Sequence, residues 1–274
     1  MKEEIRKLED VARALRRDVV TMIRESGDGH AGGSLSAADI IAALYFSVMR
    51  VDPSDPRRAD RDRFILSKGH ACPVLYAALA RRGYFSPGLL PTLRRLGSPL
   101  QGHPDMNKTP GVDMTAGSLG HGIGIGSGMA VAARLSGLDY RVYTLLGDGE
   151  LNEGLVWESA ISAVKLKAER LVAIVDNNGL QGDGRIEDVS GMRDIGARFA
   201  SFGWRVREID GHDMEAILDA LAWGAAAESR PSMIVARTVK GKGVPFMENE
   251  NAWHKKVPDA AEFAMAIRAL GGES

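Results

Sequence analysis

Short apolar runs along this chain repeatedly end in a polar or glycine-bearing turn, and that repeat allows few folds. Arg63-Phe-Ile-Leu66 leads into Ser67-Lys-Gly-His70 and a helical pattern from about Pro73 to Arg82. Arg141-Val-Tyr-Thr-Leu-Leu146 leads into Gly147-Asp-Gly-Glu150 and a helical pattern from about Leu155 to Lys167. Leu171-Val-Ala-Ile-Val175 ends in Asp176-Asn-Asn-Gly179, and Trp204-Arg-Val-Arg-Glu-Ile209 in Asp210-Gly-His212, followed by a helix to about Ala227. Ser232-Met-Ile-Val-Ala236 is the last strong strand. Strands alternating with helices imply an α/β fold, a mostly parallel sheet with helices on both faces, whose ligands sit beyond the carboxyl ends of the strands. The polar turns stand at that end.

Ahead of the first strand, apolar residues from Glu3 to Ser26 recur at helical spacing and predict a long surface helix, broken by Ser26-Gly-Asp-Gly29. Ser36, followed three residues later by Asp39, predicts a capped helix start that continues through Tyr45 and Val48. Asp52-Pro-Ser-Asp-Pro56 stops it. From Gly241 to Pro258 no period is visible, and so long an irregular stretch is more often functional than idle. No linker, low-complexity tract or short-period repeat divides residues 1–274, so one domain is expected.

Composition removes several function classes. A formal net charge of -1 takes away the main electrostatic reason to expect nucleic-acid binding. No apolar run is long enough to span a membrane, and the charged amphipathic N-terminus lacks the pattern of a secretory leader. The single cysteine, Cys72, fits a reducing cytoplasm. Glycine, at 32 of 274 residues, exceeds the roughly 7% average without a collagen-like period, so it concentrates at turns or at close approaches to a ligand.

Five histidines, His30, His70, His103, His121 and His254, stand in glycine-bearing or irregular segments, four of them directly after a glycine. Each alone reads as an exposed or capping histidine. Converging at one sheet end they would form a polar pocket for a hydroxylated or phosphorylated substrate. Their spacing does not suit zinc. The glycine-dense segment Thr115–Gly128 runs into a helix at Met129–Arg134. It could hold an anion on free amides, or its later glycines could serve close helix packing. Asp148 follows one strand and Asn177-Asn178 the next. A carboxylate and a carboxamide at neighbouring strand ends can offer oxygens to one hard divalent cation that bridges to phosphate oxygens.

With Gly147-Asp-Gly-Glu-Leu-Asn-Glu-Gly154 and Asp176-Asn-Asn178 in view, the chain resembles the thiamine diphosphate enzymes. Their motif begins with Gly-Asp-Gly and ends in Asn-Asn. The ordered set of Gly29-His30, Ser67-Lys-Gly-His70, Gly102-His-Pro104, Gly117-Ser-Leu-Gly120, the metal motif and Trp253-His254 is similar, over nearly the whole chain, to the N-terminal, diphosphate-binding part of transketolase. The resemblance implies the thiamine diphosphate-binding fold. It implies that Asp148 and Asn178 bind Mg2+ by side chain and Leu180 by its carbonyl, that Gly149 meets the diphosphate, and that Glu153 supports the motif. It further implies that Gly117, Ser118 and Leu119 belong to the segment against the cofactor rings, with Leu119 as the wedge that keeps the cofactor bent. His70 and His254 match residues near the diphosphate; His30, His103 and His254 match residues that line the substrate channel and assist proton transfer. Ala31 and Ser118 depart from the pattern, standing where full-length relatives commonly carry proline.

In that family the acid that activates the cofactor, and the arginines that grip phosphate, lie in a second domain. The resemblance therefore implies the N-terminal subunit of a split transketolase, working with a separate C-terminal subunit, most plausibly as a cytoplasmic heterotetramer acting on sugar phosphates or related small molecules. The alternatives are another thiamine diphosphate ketol transferase or synthase subunit, such as one resembling deoxyxylulose phosphate synthase or acting on a specialised sugar, and a non-catalytic regulatory copy of the fold.

Overall fold

In the computed structural model, residues 2–226 and 229–272 are described. Seven strands occur among them: β1 (Arg63–Leu66), β2 (Val142–Gly147), β3 (Leu171–Asn177), β4 (Leu180–Gln181), β5 (Gly184–Arg185), β6 (Arg205–Asp210) and β7 (Ser232–Arg237). Five make one sheet in the order β1-β2-β3-β7-β6, every neighbouring pair parallel, and β4 pairs with β5 as a small antiparallel hairpin. The register sets Gly147 opposite Asp176 and Asn177 opposite Arg237, so the turns after β2, β3 and β7 leave the sheet side by side.

Period-two alternation divides the core. Phe64 and Leu66, Tyr143 and Leu145, Val172 and Ile174, and Ile234 and Ala236 enter one apolar cluster; Ile65, Val142 and Leu146, Leu171, Ala173 and Val175, and Met233 and Val235 enter another. The first cluster includes side chains of α1 (Lys2–Ser26), α2 (Ala31–Ser36), α3 (Ala38–Ala43), α4 (Cys72–Arg82), α9 (Met214–Ala225) and α10 (Ala260–Ala269). The second is covered by α5 (His121–Leu135), α6 (Gly154–Lys165) and α8 (Ile195–Ser201). A short α7 (Ile186–Ser190) follows the hairpin. Each large aliphatic or aromatic side chain fully buried in this way stabilises the fold by about 1.5–3 kcal/mol, so both faces of the sheet are held.

Several expectations need correcting. Ser36 does not cap a helix: it is the last residue of α2, and its buried hydroxyl donates to Asp176 at 2.6 Å, while α3 has no side-chain cap. Asp39 accepts from Arg16 at 2.5 Å and pairs with His212 Nδ1 at 2.7 Å, and His212 Nε2 in turn accepts from the Val239 amide. Tertiary partners for a buried hydroxyl and a buried carboxylate outweigh the local capping pattern. The glycine-dense segment is itself helical from His121 onward, because Gly122 and Gly126 let α5 press onto Ser67 and Thr144, where a Cβ would lie within 2.4 and 2.6 Å. Close packing is thus the use of those two glycines. The helix expected to reach Ala227 ends at Ala225, and Ala227 itself lies outside the described residues. Helix α10, with its Asp259–Glu262 capping box, follows the aperiodic stretch and adds an element to those expected.

Candidate active site

The turns after β1, β2, β3 and β7 surround a cavity of about 580 Å³. At one end lies Asp148, 2% exposed, whose Oδ1 accepts from the Gly149 amide at 2.8 Å and whose Oδ2 accepts from the Gly179 amide at 2.5 Å. These bonds tie the turn after β2 to the turn after β3. Burial first, and the negative charge of Asp176 second, push the Asp148 carboxyl up to about 7, against the pull of both amides. A carboxylate so placed gains from a cation beside it.

Asn178 and Leu180 line the same end. The Asn178 Oδ1 accepts from the Leu180 amide at 3.2 Å, and the Leu180 carbonyl accepts from Lys240 Nζ at 3.1 Å. Burial lowers the Lys240 ammonium to about 8. One carboxylate, one carboxamide and one backbone carbonyl form an all-oxygen donor set of the kind a hard divalent cation takes. Among the described residues no group of three His, Cys, Asp or Glu side chains is placed to hold a metal.

Three further buried groups stiffen this end. Glu150 accepts from the Ser67 hydroxyl, from the Gly120 amide at 2.8 Å and from the Gly147 amide at 3.0 Å, joining the ends of β1 and β2 to the start of α5. Burial raises its carboxyl although all three bonds favour the charged form. Asp176, fully buried, pairs with Lys68 and accepts from Ser36 and Thr238. Burial opposes its charge, but Lys68 and the hydroxyls hold its carboxyl below the usual range. Lys68 also donates to the Gly33 carbonyl at 2.8 Å.

The other end is a wall of imidazoles. The rings of His30, His70 and His254 form a triangle, with centroids 5.0, 5.2 and 5.5 Å apart. His103 lines the same cavity beside Gly117. Burial, reinforced by neighbouring imidazoles and cations, lowers His30 and His254 to about 4, and His70 and His103 are also lowered. All four rings are therefore neutral at pH 7. A neutral imidazole can donate through one nitrogen and accept through the other, which suits sugar hydroxyls.

Gly117, Leu119 and Gly149 also line the cavity. Three residues singled out from the sequence do not reach it. His121, exposed at the start of α5, and Ser118 line a neighbouring hollow instead, and Glu153 is exposed, packed against Gly120. The cavity also takes in Lys68, Glu150, Lys240, Gln181, Arg94 and Lys255, to which no sequence pattern assigns a role. A lysine at a strand end in Ser67-Lys-Gly-His70, and another opening the aperiodic stretch, are signals for two of them; Arg94 carries none.

Comparison with known proteins bears on this site. Residues 6–274 match the family model described as transketolase, thiamine diphosphate binding domain. The chain is 43% identical to the 6-deoxy-6-sulfo-D-fructose transketolase subunit SqwG of Clostridium sp. (strain MSTE9), over 93% of this chain and 92% of that protein. It is 40% identical to one subunit of the apulose-4-phosphate transketolase of Phocaeicola vulgatus, over 93% of this chain and 90% of that one. Among solved structures, transketolase from Leishmania mexicana superposes with a TM-score of 0.92 at 32% identity, covering 97% of this chain. This chain spans 41% of that longer protein.

Proposed function

This chain belongs to the transketolase family, as its thiamine diphosphate-binding domain, and from that premise we propose that it is the N-terminal subunit of a two-chain transketolase. The reaction is transfer of a two-carbon ketol unit from a ketose donor to an aldose acceptor with thiamine diphosphate and Mg2+. The observation that carries the proposal is the two-ended cavity, with an all-oxygen cation set at one end and four neutral histidines at the other.

Asp148, Asn178 and the Leu180 carbonyl would hold Mg2+, and Gly149, His70, His254 and Lys240 would meet the diphosphate. Gly117 and Leu119 would face the cofactor rings. Ser118, which follows Gly117 in the same segment and lines the neighbouring hollow, would support it, and Glu153 would act through its packing on Gly120. When bound, thiamine diphosphate supplies the nucleophilic carbon through which a carbon–carbon bond next to a carbonyl is broken and made. Neutral His30, His103 and His254 accept and return protons at the sugar hydroxyls.

Residues 1–274 serve as one domain, and the site is completed by a separate C-terminal chain that supplies the acid activating the cofactor. Support for two chains comes from relatives of similar length named as subunits, and from the 41% of a longer transketolase that this chain covers. The assembly is a heterotetramer working in the cytoplasm. No helix among the described residues is long and apolar enough to cross a membrane. A second reading, a thiamine diphosphate ketol transferase for a specialised sugar, is favoured by the sulfofructose and apulose phosphate names of those relatives.

Calorimetric titration of thiamine diphosphate with Mg2+ tests the proposal, using the chain alone, the chain mixed with a candidate C-terminal transketolase subunit from the same organism, and the same mixture with Asp148→Ala. Saturable binding and ketol transfer in the mixture are expected. Asp148→Ala should weaken Mg2+-dependent binding at least a hundredfold, about 2.7 kcal/mol. Binding unchanged by Asp148→Ala would remove the cation assignment, and a mixture that neither binds nor turns over would leave a regulatory copy of the fold.

A further inference from the structure

Of the six histidines, His212 alone lines neither the site cavity nor the neighbouring hollow, yet it is joined to the cavity through the backbone. It sits in the turn after β6, with Nδ1 2.7 Å from Asp39 and Nε2 accepting from the Val239 amide at 2.8 Å. Accepting through Nε2 places the ring proton on Nδ1, where it is donated to Asp39. Asp39 is itself pinned by both terminal nitrogens of Arg16, at 3.1 and 2.5 Å. Burial opposes the charge of Asp39, but the bond from His212, and then Arg16, hold its carboxyl below the usual range. Rotating the ring away would leave a buried carboxylate short of a donor and a backbone amide short of an acceptor.

Thr238, Val239, Lys240 and Gly241 follow β7, and each is tethered to a different part of the fold. The Thr238 amide donates to the Asn177 carbonyl at 3.1 Å and its hydroxyl to Asp176, while the Val239 amide goes to His212. The Gly241 amide donates to the Gly32 carbonyl of α2 at 3.1 Å, and the Lys240 carbonyl accepts from the Asn249 amide at 2.9 Å. The turn that carries His212 is bound to the same strand end, the Gly211 amide donating to the Arg237 carbonyl at 2.7 Å. With the backbone held on both sides of it, the buried stem of Lys240 lies on Gly32, where a Cβ would come within 2.9 Å of Cγ, and Nζ reaches the Leu180 carbonyl at 3.1 Å.

We propose that His212, oriented by Asp39, is a positioning residue: through the Val239 amide it sets the course of Lys240 and so fixes the ammonium at the Asp148 end of the cavity. The contact stands on geometry; its consequence for cofactor binding rests on the ketol-transfer reading above, in which Lys240 meets the diphosphate. A lysine carries its charge on a flexible four-carbon stem, whose freedom is lost on binding unless the fold has already restricted it. His212 restricts it from outside the cavity, and so acts on affinity without touching the ligand. Thr238 also serves Asp176, so His212 is the tether that can be altered without disturbing the buried Lys68–Asp176 pair.

Two substitutions of opposite chemistry test this. His212→Asn keeps a donor near Nδ1 for Asp39 and gives up the acceptor, whereas His212→Gln keeps an acceptor near Nε2 for the Val239 amide and gives up the donor. In the full chain without cofactor, hydrogen exchange at the Val239 amide should quicken about tenfold in His212→Asn, the worth of one hydrogen bond, and acylation of Lys240 by acetic anhydride, read by mass spectrometry, should quicken with it; His212→Gln should restore both. In the two-chain enzyme, the Kd for thiamine diphosphate with Mg2+ should rise about tenfold in His212→Asn and recover in His212→Gln, and the His212→Asn effect should vanish when Lys240→Met is already present. A residue that merely supports Asp39 would give the reverse order, with His212→Gln the worse. That order, parental exchange at Val239 in both variants, or an undiminished His212→Asn effect beside Lys240→Met would overturn the proposal. If the parent pair binds no thiamine diphosphate, the ketol-transfer reading falls, while exchange at Val239 and acylation of Lys240 in the chain alone still decide whether His212 holds the lysine.

Discussion

At the Asp148 end of the cavity, Asp148 is gripped by backbone amides of the turn that carries it and of the neighbouring turn, both following strands of one parallel sheet. At the histidine end, four rings arrive from the break after α1, the turn after β1, an irregular loop ahead of α5 and the aperiodic stretch after β7, and three of them meet through their rings. The first end is built by register, the second by packing. At the first end a change of one buried side chain strips a charged partner from its neighbour; the other end can be altered ring by ring.

The sharpest way to break the first end is Lys68→Met. It leaves Asp176 fully buried without its cation, and removal of one partner of such a pair costs about 3–5 kcal/mol. Denaturant unfolding should show that loss as a lower midpoint at unchanged slope. A midpoint indistinguishable from the parent's would show that the Ser36 and Thr238 hydroxyls alone hold the carboxylate.

His103→Ala probes the second end without touching the first. Turnover of the assembled enzyme should fall about a hundredfold, the scale of a lost proton-transfer group, while affinity for thiamine diphosphate stays within twofold. The reverse pattern would move His103 to the cofactor side of the cavity.

The smallest effect expected concerns pH. His30 and His254 are held near 4 in the folded chain against about 6.5 when unfolded, so the unfolded chain takes up protons first as pH falls. Their contribution is present above about pH 6.5 and is lost as pH drops toward 4. Asp148, raised to about 7, acts with opposite sign across the same window. The comparison is therefore between the parent and a His30→Gln, His254→Gln double variant, whose stability should decline less between pH 6.5 and 4. The difference is roughly 1 kcal/mol after screening of these half-buried rings. Identical slopes would show that the two rings titrate normally.

The strands were legible because each apolar run is bounded by a turn: Arg63–Leu66 reads the same in sequence and structure, and Leu171–Val175 is extended by only Asp176 and Asn177. That Asp148 and Asn178 line one cavity was legible for a related reason, since a parallel sheet delivers the ends of adjacent strands to one place. Ser36 misled because its hydroxyl serves Asp176, distant in the chain, instead of its own helix. His121 shares its preceding glycine with three histidines of the wall, but it opens α5 and stands outside the cavity lining. Helix α10 hid behind an aperiodic stretch, and Arg94 sat in a loop with no period.

What the sequence determined by itself is local and periodic: alternation along strands, the polar turns that end them, and the motif spacing that marks the Asp148 pole. Only the tertiary structure decided which histidines meet, that Lys68 pairs with Asp176, and that His212 receives the Val239 amide. Backbone periodicity follows from bond geometry and repeats at short range. A contact between side chains far apart in the chain depends instead on how every intervening element packs, and no short-range pattern carries that information.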